Sequence, residues 1–247
     1  MDLVKNIKID VNDVMKRAIK IPFVKIDRKK FLDTELRKYC SEETAKLAIQ
    51  TTPKKAGLEN KLIDKIANDC ITLHTNLASA ISFGAGIPGG LAMAATIPAD
   101  LGQYFWHVIV ICQKLAYIYG WPQLFTESQK IDEEFDSESS NIILGFMGIM
   151  FGVEGANKFV TSIATKMATA NAGRHLAKII AKQAFFQTAK EILKKIGIKL
   201  NQRILGQAIS KSLPVVGGLI SGGITYFSFK PQAENLKKSL SKCPQAD

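Results

Sequence analysis

The residues best suited to chemistry lie in one predicted helix that is otherwise apolar. Asp100, Gln103, His107 and Lys114 follow one another at intervals of three, four and seven residues, which places them in one stripe along an α-helix. Asp100 and His107 are two turns apart, about 10 Å along the axis, so their side chains do not bond directly, and Gln103 or Tyr104 lies between them. One interpretation of this stripe is a binding site for a proton or a ligand.

The alternative interpretation of the stripe is purely structural. Pro98 precedes Asp100, so the sequence predicts that Asp100 opens the helix and that its carboxylate interacts with the helix dipole. His107 is then a buried histidine with a hydrogen-bond partner. We favour this second interpretation, and we assign no catalytic residue.

Two further patterns resemble known sites but lack the context that those sites need. Cys70 and His74 are four residues apart on one helix face, yet no other Cys or His nearby completes a zinc set. Residues 84–89 match GxGxxG, but the preceding segment is predicted to be a helix rather than a strand, which argues against a dinucleotide site. We therefore expect neither a metal nor a cofactor, and we favour a protein that is not an enzyme.

The composition is that of a globular chain. Of the 247 residues, 47% are hydrophobic and 22% are charged, which excludes a mainly disordered protein. The four cysteines are far apart and form no CxxC pair, so a reducing compartment is favoured over a disulfide scaffold. The first residues lack the apolar run of a signal peptide, and we therefore expect a cytoplasmic protein.

The net charge of +11 is concentrated in the second part of the chain. Residues 1–154 hold 18 basic and 19 acidic residues, whereas residues 155–247 hold 15 basic and 3 acidic residues. This asymmetry predicts either a polyanionic partner or a solvated lysine-rich face. Because arginines and interleaved aromatic side chains are scarce there, we expect an anionic membrane surface or a membrane protein as the partner rather than nucleic acid.

Three segments carry no Asp, Glu, Lys or Arg: residues 70–99, 141–153 and 212–229. The first is long enough to suggest a membrane span, but a Gly/Pro-rich turn at residues 84–90 divides it into two halves. Each half has about a dozen residues, too few to cross a bilayer of roughly 30 Å as a helix. These segments predict apolar hairpins that are buried in the protein or dip shallowly into a membrane.

Glycine spacing predicts close contacts between helices in two of these segments. Gly148 and Gly152 form a GxxxG pair on one predicted helix face, and Gly218 and Gly222 form a second pair. A glycine inside a helix costs about 1 kcal/mol relative to alanine. Its repeated use on one face therefore indicates a compensating close approach of a neighbouring helix.

The secondary-structure pattern predicts an all-α protein, since no segment alternates in the manner of a strand and no Asn-Gly or Asp-Gly hairpin turn occurs. We predict a multi-helix bundle with Gly/Ala-rich, closely packed apolar helical hairpins. The helix that follows Asp100 is predicted to end at Gly120, with Pro122 two residues later. Pro231 is predicted to begin a separate terminal helix. Residues 1–55 are predicted to form an N-terminal helical extension, and residues 56–247 the main helical domain.

Glycine- and proline-rich motifs recur along the main helical domain, at the heads and ends of its apolar helices. Their defining residues are Pro88, Gly89, Gly90 and Pro98, then Gly120 and Pro122, and finally Pro214, Gly218 and Gly222. In these motifs the chain resembles the EcsC protein family of bacteria over roughly residues 60–240. The resemblance implies a helical, hydrophobic protein and supplies no catalytic residue.

Three functional hypotheses follow. The leading one is a non-enzymatic protein at the cytoplasmic face of a bacterial inner membrane, peripheral or partly inserted, whose basic C-terminal half binds anionic lipid or a membrane-protein partner. The second is an enzyme or small-molecule binder that uses the Asp100/His107 helix face. The third is an effector or defence protein that inserts into membranes.

Overall fold

The fold is known from a computed structural model of the chain. It describes residues 18, 21–86, 93–125, 138–169, 191–198 and 216–244. Over these residues the structure is helical and contains no strand, so the prediction of an all-α bundle is confirmed. Residues 191–198 form a short helical segment, and the longer helices are α1 (Arg28–Leu36), α2 (Glu42–Gln50), α3 (Asn60–Gly86), α4 (Met93–Ile118), α5 (Glu138–Met150), α6 (Ala156–Thr169) and α7 (Val216–Leu240).

The centre of the bundle consists of α3, α4 and α7. Helix α7 runs antiparallel to α3, because Thr225 near its start bonds Ser82 near the end of α3, while Lys237 near its end bonds Asn68. Helix α4 packs along α3 and contacts α1, α5 and α7. The side chains that α4 buries include Phe105, a run of aliphatic residues from Val108 to Ile111, and Leu115, so α4 lies in the core.

Helix α4 begins earlier than predicted. It starts at Met93, so Pro98 lies inside the helix and Asp100 lies in its second turn rather than at its N-terminus. The prediction that Asp100 opens the helix and interacts with its dipole is therefore wrong. Pro98 is the sixth residue of α4 and lies beyond the four N–H groups that have no intrahelical acceptor, so α4 lacks the backbone bond that another residue at this position would donate to residue 94.

The predicted end of α4 is confirmed. Gly120 has a φ of 86°, a left-handed conformation that glycine adopts without a steric penalty. Its N–H donates to the carbonyl of Tyr117 at 3.2 Å, and the N–H of Trp121 donates to the carbonyl of Ala116 at 2.9 Å. These two bonds form a Schellman motif, which turns the chain away before Pro122.

Of the first GxxxG pair, only one glycine lies in a helix. Helix α5 ends at Met150, and Gly152, with a φ of 62°, belongs to the turn before α6. The prediction that Gly148 and Gly152 share a helix face is therefore wrong, because a glycine that ends a helix has the same sequence signature as one inside it. Gly148 does make a close contact: a Cβ there would lie 2.7 Å from Ile192 Cγ2 and 2.9 Å from Ala156 Cβ.

Helix α7 continues through Pro231, so the prediction of a separate terminal helix is wrong. The close contact predicted for Gly222 is confirmed, since a Cβ there would lie 3.1 Å from both the Cβ of Phe83 and the carbonyl oxygen of Ser79 on α3. Gly218 lies in α7. Four motif residues lie outside the described residues: Pro88, Gly89, Gly90 and Pro214.

The N-terminal segment is bound to α4 by side chains that bond its backbone. Gln113 on α4, which is fully buried, donates from its amide to the carbonyl of Val24 at 2.7 Å and accepts from the N–H of Ile26 at 3.0 Å. Helices α1 and α2 share the hydrophobic core with the rest of the described chain. The domain boundary near residue 55 remains a prediction.

None of the described helices is both long enough and apolar enough to cross a membrane.

Candidate functional site

The predicted polar stripe of α4 lies at the contact of three helices. Asp100, Gln103, Tyr104 and His107 of α4 meet polar residues of α3 and α7. We call this contact the polar seam, and it consists of those four residues with His74 and Ser82 of α3 and Thr225 and Gln232 of α7. Since α3 and α4 are antiparallel and buried on these faces, the seam is a row of bonds inside the bundle.

The first level of the seam holds the carboxyl group of Asp100. Ser82 Oγ donates to Asp100 Oδ1 at 2.8 Å, and Thr225 Oγ1 donates to Ser82 Oγ at 2.9 Å. All three residues are buried, with Asp100 only 3% exposed. A buried carboxyl group requires hydrogen-bond donors, and the hydroxyl chain supplies one here. This level therefore links all three central helices through side-chain bonds.

The middle level of the seam is formed by Tyr104, whose ring packs edge-on against Phe229 of α7 at a centroid distance of 5.8 Å. Tyr104 Oη donates to Gln232 Oε1 at 2.5 Å. Tyr104 is 2% exposed and Gln232 is half-buried, so this bond is partly shielded from water. It fixes the rotation of α7 relative to α4.

The last level of the seam is a pair of buried histidines. The Nδ1 atoms of His74 and His107 lie 3.0 Å apart, and the two residues are 2% and 1% exposed. Two imidazole nitrogens at this distance share one proton, since one must donate and the other accept. Two neutral rings meet this condition when one carries hydrogen on Nδ1 and the other carries it on Nε2.

The other ring nitrogens of the pair differ in their environment. His107 Nε2 lies 3.4 Å from the amide nitrogen of Gln103, whereas His74 Nε2 is buried and has no partner among the described residues. If Gln103 donates to His107 Nε2, then His107 Nδ1 donates to His74 Nδ1, and His74 carries its proton on the unpartnered Nε2. Burying an unpartnered polar group costs free energy, so the pair is a stressed element of the core.

Burial also sets the proton affinity of the two histidines. Removal from water lowers the pKa of His74 from 6.5 to about 2 and that of His107 to about 4. These values include a smaller lowering of both pKa values by the positive charge of Lys114, and of the His74 pKa by His107. The pair therefore stays neutral at pH 7, and an incoming proton is strongly disfavoured while the helices are packed.

The structure thus unites most of the predicted stripe, and it separates Lys114 from the seam's hydrogen bonds. The ammonium group of Lys114 lies 5.4 Å from the centroid of the Phe31 ring on α1. The prediction that His107 is a buried histidine with a partner is confirmed. Sequence analysis missed the partners of α4, although the position of His74 in an uncharged segment was a usable signal. The missed residues are His74, Ser82, Thr225 and Gln232.

The chemistry open to the seam is proton exchange and helix-to-helix bonding. Within the described part of the chain, no group of three or more His, Cys, Asp and Glu side chains is placed to hold a metal ion. Burial raises the pKa of Cys70, one turn before His74, to about 12, so this thiol is protonated at neutral pH and is a poor metal ligand.

A second feature of α3 is a stripe of exposed apolar side chains along one flank of the helix. Leu73, Leu77 and Ile81 are 52%, 45% and 38% exposed and follow each other at intervals of four residues, which places them in one stripe; Phe83, 41% exposed, lies on another side of the helix. We call Leu73, Leu77 and Ile81 the α3 apolar face. The intervening exposed residues are uncharged as well: Thr72, Asn76, Ala80 and Gly84.

Two exposed aromatic residues of α7 lie near the α3 apolar face. Tyr226 is 37% exposed and Phe227 is 78% exposed, and both follow Thr225, which bonds Ser82 between Ile81 and Phe83. These two aromatic residues therefore lie near the Gly-rich end of α3, where Ile81 is the last member of the α3 apolar face.

A cleft of about 230 Å³ lies elsewhere, between the start of α3 and the end of α4. Its walls include Lys54, Asp64, Tyr119 and Ser241. Tyr119 Oη donates to Asp64 Oδ1 at 2.6 Å, and burial together with this carboxylate raises the pKa of Tyr119. The residues of the predicted α4 stripe do not line this cleft.

No protein-family model, curated protein or solved structure matches the chain.

Proposed function

We propose that this protein is a non-enzymatic helical protein that binds anionic membrane surfaces through its basic C-terminal half and the α3 apolar face. The observation that carries the proposal is the α3 apolar face. Single exposed apolar residues are ordinary, but a contiguous group marks an interaction surface. Its three members follow one another at intervals of about one helical turn, as expected for a helix that lies along an interface.

Charge supports a membrane surface as the partner of this face. The face lies inside the uncharged segment 70–99, and residues 155–247 carry a net charge of +12. Among the described residues of that half, several lysines are exposed: Lys158, Lys194, Lys195, Lys238 and Lys242. A lysine near an anionic bilayer contributes about 1 kcal/mol, so charge attracts the protein and apolar contact holds it.

The polar seam supports an enzyme or a small-molecule binder less well. Asp100, Tyr104 and His107 each bond a side chain on a neighbouring helix and are at most 3% exposed. These groups are engaged in holding the bundle together. The resemblance to the EcsC family, as a further part of the proposal, makes the cytoplasmic face of a bacterial inner membrane the expected location.

Flotation with lipid vesicles tests the proposal. The full chain is mixed with vesicles of phosphatidylcholine alone, or of phosphatidylcholine with phosphatidylglycerol, at low and at physiological salt. We expect flotation with the anionic vesicles, and we expect salt to weaken it because surface charges are screened within a Debye length.

Failure to float with either vesicle at low salt would overturn the proposal. Equal flotation with both vesicles would remove the role of the basic half. A third outcome is that the chain does not bind pure lipid vesicles but sediments with native membranes. If protease treatment of those membranes abolishes this sedimentation, the partner is a membrane protein rather than lipid.

A further inference from the structure

We propose that the His74–His107 pair is an acid-sensitive contact that holds α3 against α4 and releases it when both rings are protonated. The pair spans the two helices directly, Nδ1 to Nδ1 at 3.0 Å, and both rings are buried. This contact goes beyond membrane binding, because it concerns the bundle alone. It bears on the proposed function only in that α3 also carries the α3 apolar face.

The release follows from the donor and acceptor count. A neutral pair has one proton between the two facing nitrogens, whereas a protonated imidazole carries N–H groups on both of its nitrogens. The first added proton can enter at the outer nitrogen of the donating ring, which leaves the facing bond in place, whereas a second proton puts hydrogen on both facing nitrogens, and the bond becomes a repulsion. The ring that holds the charge is also buried, which adds a desolvation cost. Separation of the helices relieves both.

The groups around the pair do not compensate for an added charge. On α4, Lys114 is itself positive, and its effect opposes protonation of both rings. On α3, the thiol of Cys70 is protonated because burial raises its pKa. Helix α7 presents the ring of Phe229, whose centroid lies 6.5 Å from that of His107.

The remaining neighbours of the pair do not change this balance. The carboxyl group of Asp100 is two turns from His107 and bonds Ser82. On α1, Phe31 faces Lys114, and α5 contacts α4 through Met150, which bonds Cys112.

The size of the effect follows from linkage. In the released state each histidine regains a pKa near 6.5, so below that pH the released state binds more protons than the packed state. Between pH 7 and pH 5 the equilibrium constant for release should rise about 500-fold when both histidines are present, and about 25-fold when one is. The contact between α3 and α4 therefore has its full stability above the ordinary histidine pKa of about 6.5 and loses it as the pH falls below that value.

Amide hydrogen exchange without lipid tests the contact. The exchange of α3 and α4 amides is measured at pH 7 and pH 5, corrected for the intrinsic exchange rate, in the wild type and in His74→Gln/His107→Gln. Trp106 gives an independent optical readout, since its ring centroid lies 4.8 Å from His107 and 6.3 Å from His74. The single variant His107→Gln keeps one titrating ring if the double variant does not fold.

We expect the large increase in exchange only in the wild type, a smaller one in His107→Gln, and little in the double variant. The same pH dependence in the wild type and in His107→Gln would overturn the proposal, as would an unchanged exchange rate in the wild type at pH 5. Because no lipid is present, these results are independent of vesicle flotation at pH 7, which tests the proposed function separately.

Discussion

The central helices and the α5–α6 pair are held together by different kinds of contact. Helices α3, α4 and α7 meet at the polar seam, where buried side chains hydrogen-bond across helices. Helices α5 and α6 meet through apolar side chains packed against glycine. A Cβ on Gly145 would lie 2.8 Å from the Phe159 ring of α6, so the two helices approach as closely as the backbone allows.

This difference separates two sources of specificity. The α5–α6 contact depends on shape alone and involves groups that do not titrate, so pH leaves it unchanged. The polar seam depends on matching donors with acceptors, and such networks are costly when one member is missing or changes its protonation state. The α3 apolar face, which we propose to contact the membrane, lies on a helix that belongs to the seam. The proposed interaction surface therefore lies on a helix whose contacts depend on the protonation state of its partners.

The largest expected effect tests the packing side of this comparison. Gly148→Ala places a Cβ 2.7 Å from Ile192 and 2.9 Å from Ala156. Overpacking of this kind typically costs about 1–3 kcal/mol, and we expect a loss of about 2 kcal/mol in the free energy of unfolding, measured by denaturant titration. The matched control is Gly102→Ala in α4, where the new Cβ would meet nothing within 4 Å beyond its chain neighbours and the backbone of its own helix; it should gain about 0.5–1 kcal/mol. Equal effects at both sites would contradict the close α5 contact.

The second effect tests the polar contacts that bind the N-terminal segment. The guanidinium group of Arg28 donates to the carbonyls of Trp121, Ile49 and Thr51 at 2.9, 2.6 and 3.1 Å. Arg28→Ala removes all three bonds, and we expect it to lower the free energy of unfolding by about 2 kcal/mol. The single ammonium group of Arg28→Lys cannot reach all three acceptors, so its free energy of unfolding should lie between those of Arg28→Ala and the wild type. A fully stable Arg28→Ala variant would show that the bonds contribute nothing.

A smaller effect compares a seam residue with a surface residue of the same type. Tyr104→Phe removes the buried hydroxyl that bonds Gln232, and we expect a loss of about 1 kcal/mol. Tyr39→Phe removes an exposed hydroxyl that bonds Asp69 at 3.0 Å, where water replaces the bond and the loss should be about 0.3 kcal/mol. Thermal and denaturant unfolding of both variants measure the difference. Reversal of that order would contradict the account of the seam.

The sequence predicts features that depend on local chemistry. The end of α4 was predictable because glycine followed by proline has a specific local geometry, which Gly120 adopts. The start of α4 was not, since proline is most common at the first turn of a helix, whereas α4 begins five residues before Pro98. The turn position of Gly152 was missed because glycine favours both close helix contacts and helix ends.

The polar seam itself was only half predictable. Helical spacing is enough to place Asp100, Gln103 and His107 on one face of α4. The partner of His107 lies 33 residues away on another helix, and its identity depends on the register of two antiparallel helices. That register is set by the packing of the whole core, which no local pattern in the sequence specifies.

The most direct test of the central claim compares two leucines that differ only in their location. Leu77 on α3 and Leu47 on α2 are both 45% exposed, so replacing either by glutamine should leave the fold intact. If the α3 apolar face contacts lipid, Leu77→Gln should lower the partition coefficient on phosphatidylcholine–phosphatidylglycerol vesicles by about fivefold. The control variant Leu47→Gln should bind as the wild type does. Equal partition coefficients for the two variants would contradict the claim that α3 is the membrane-binding helix.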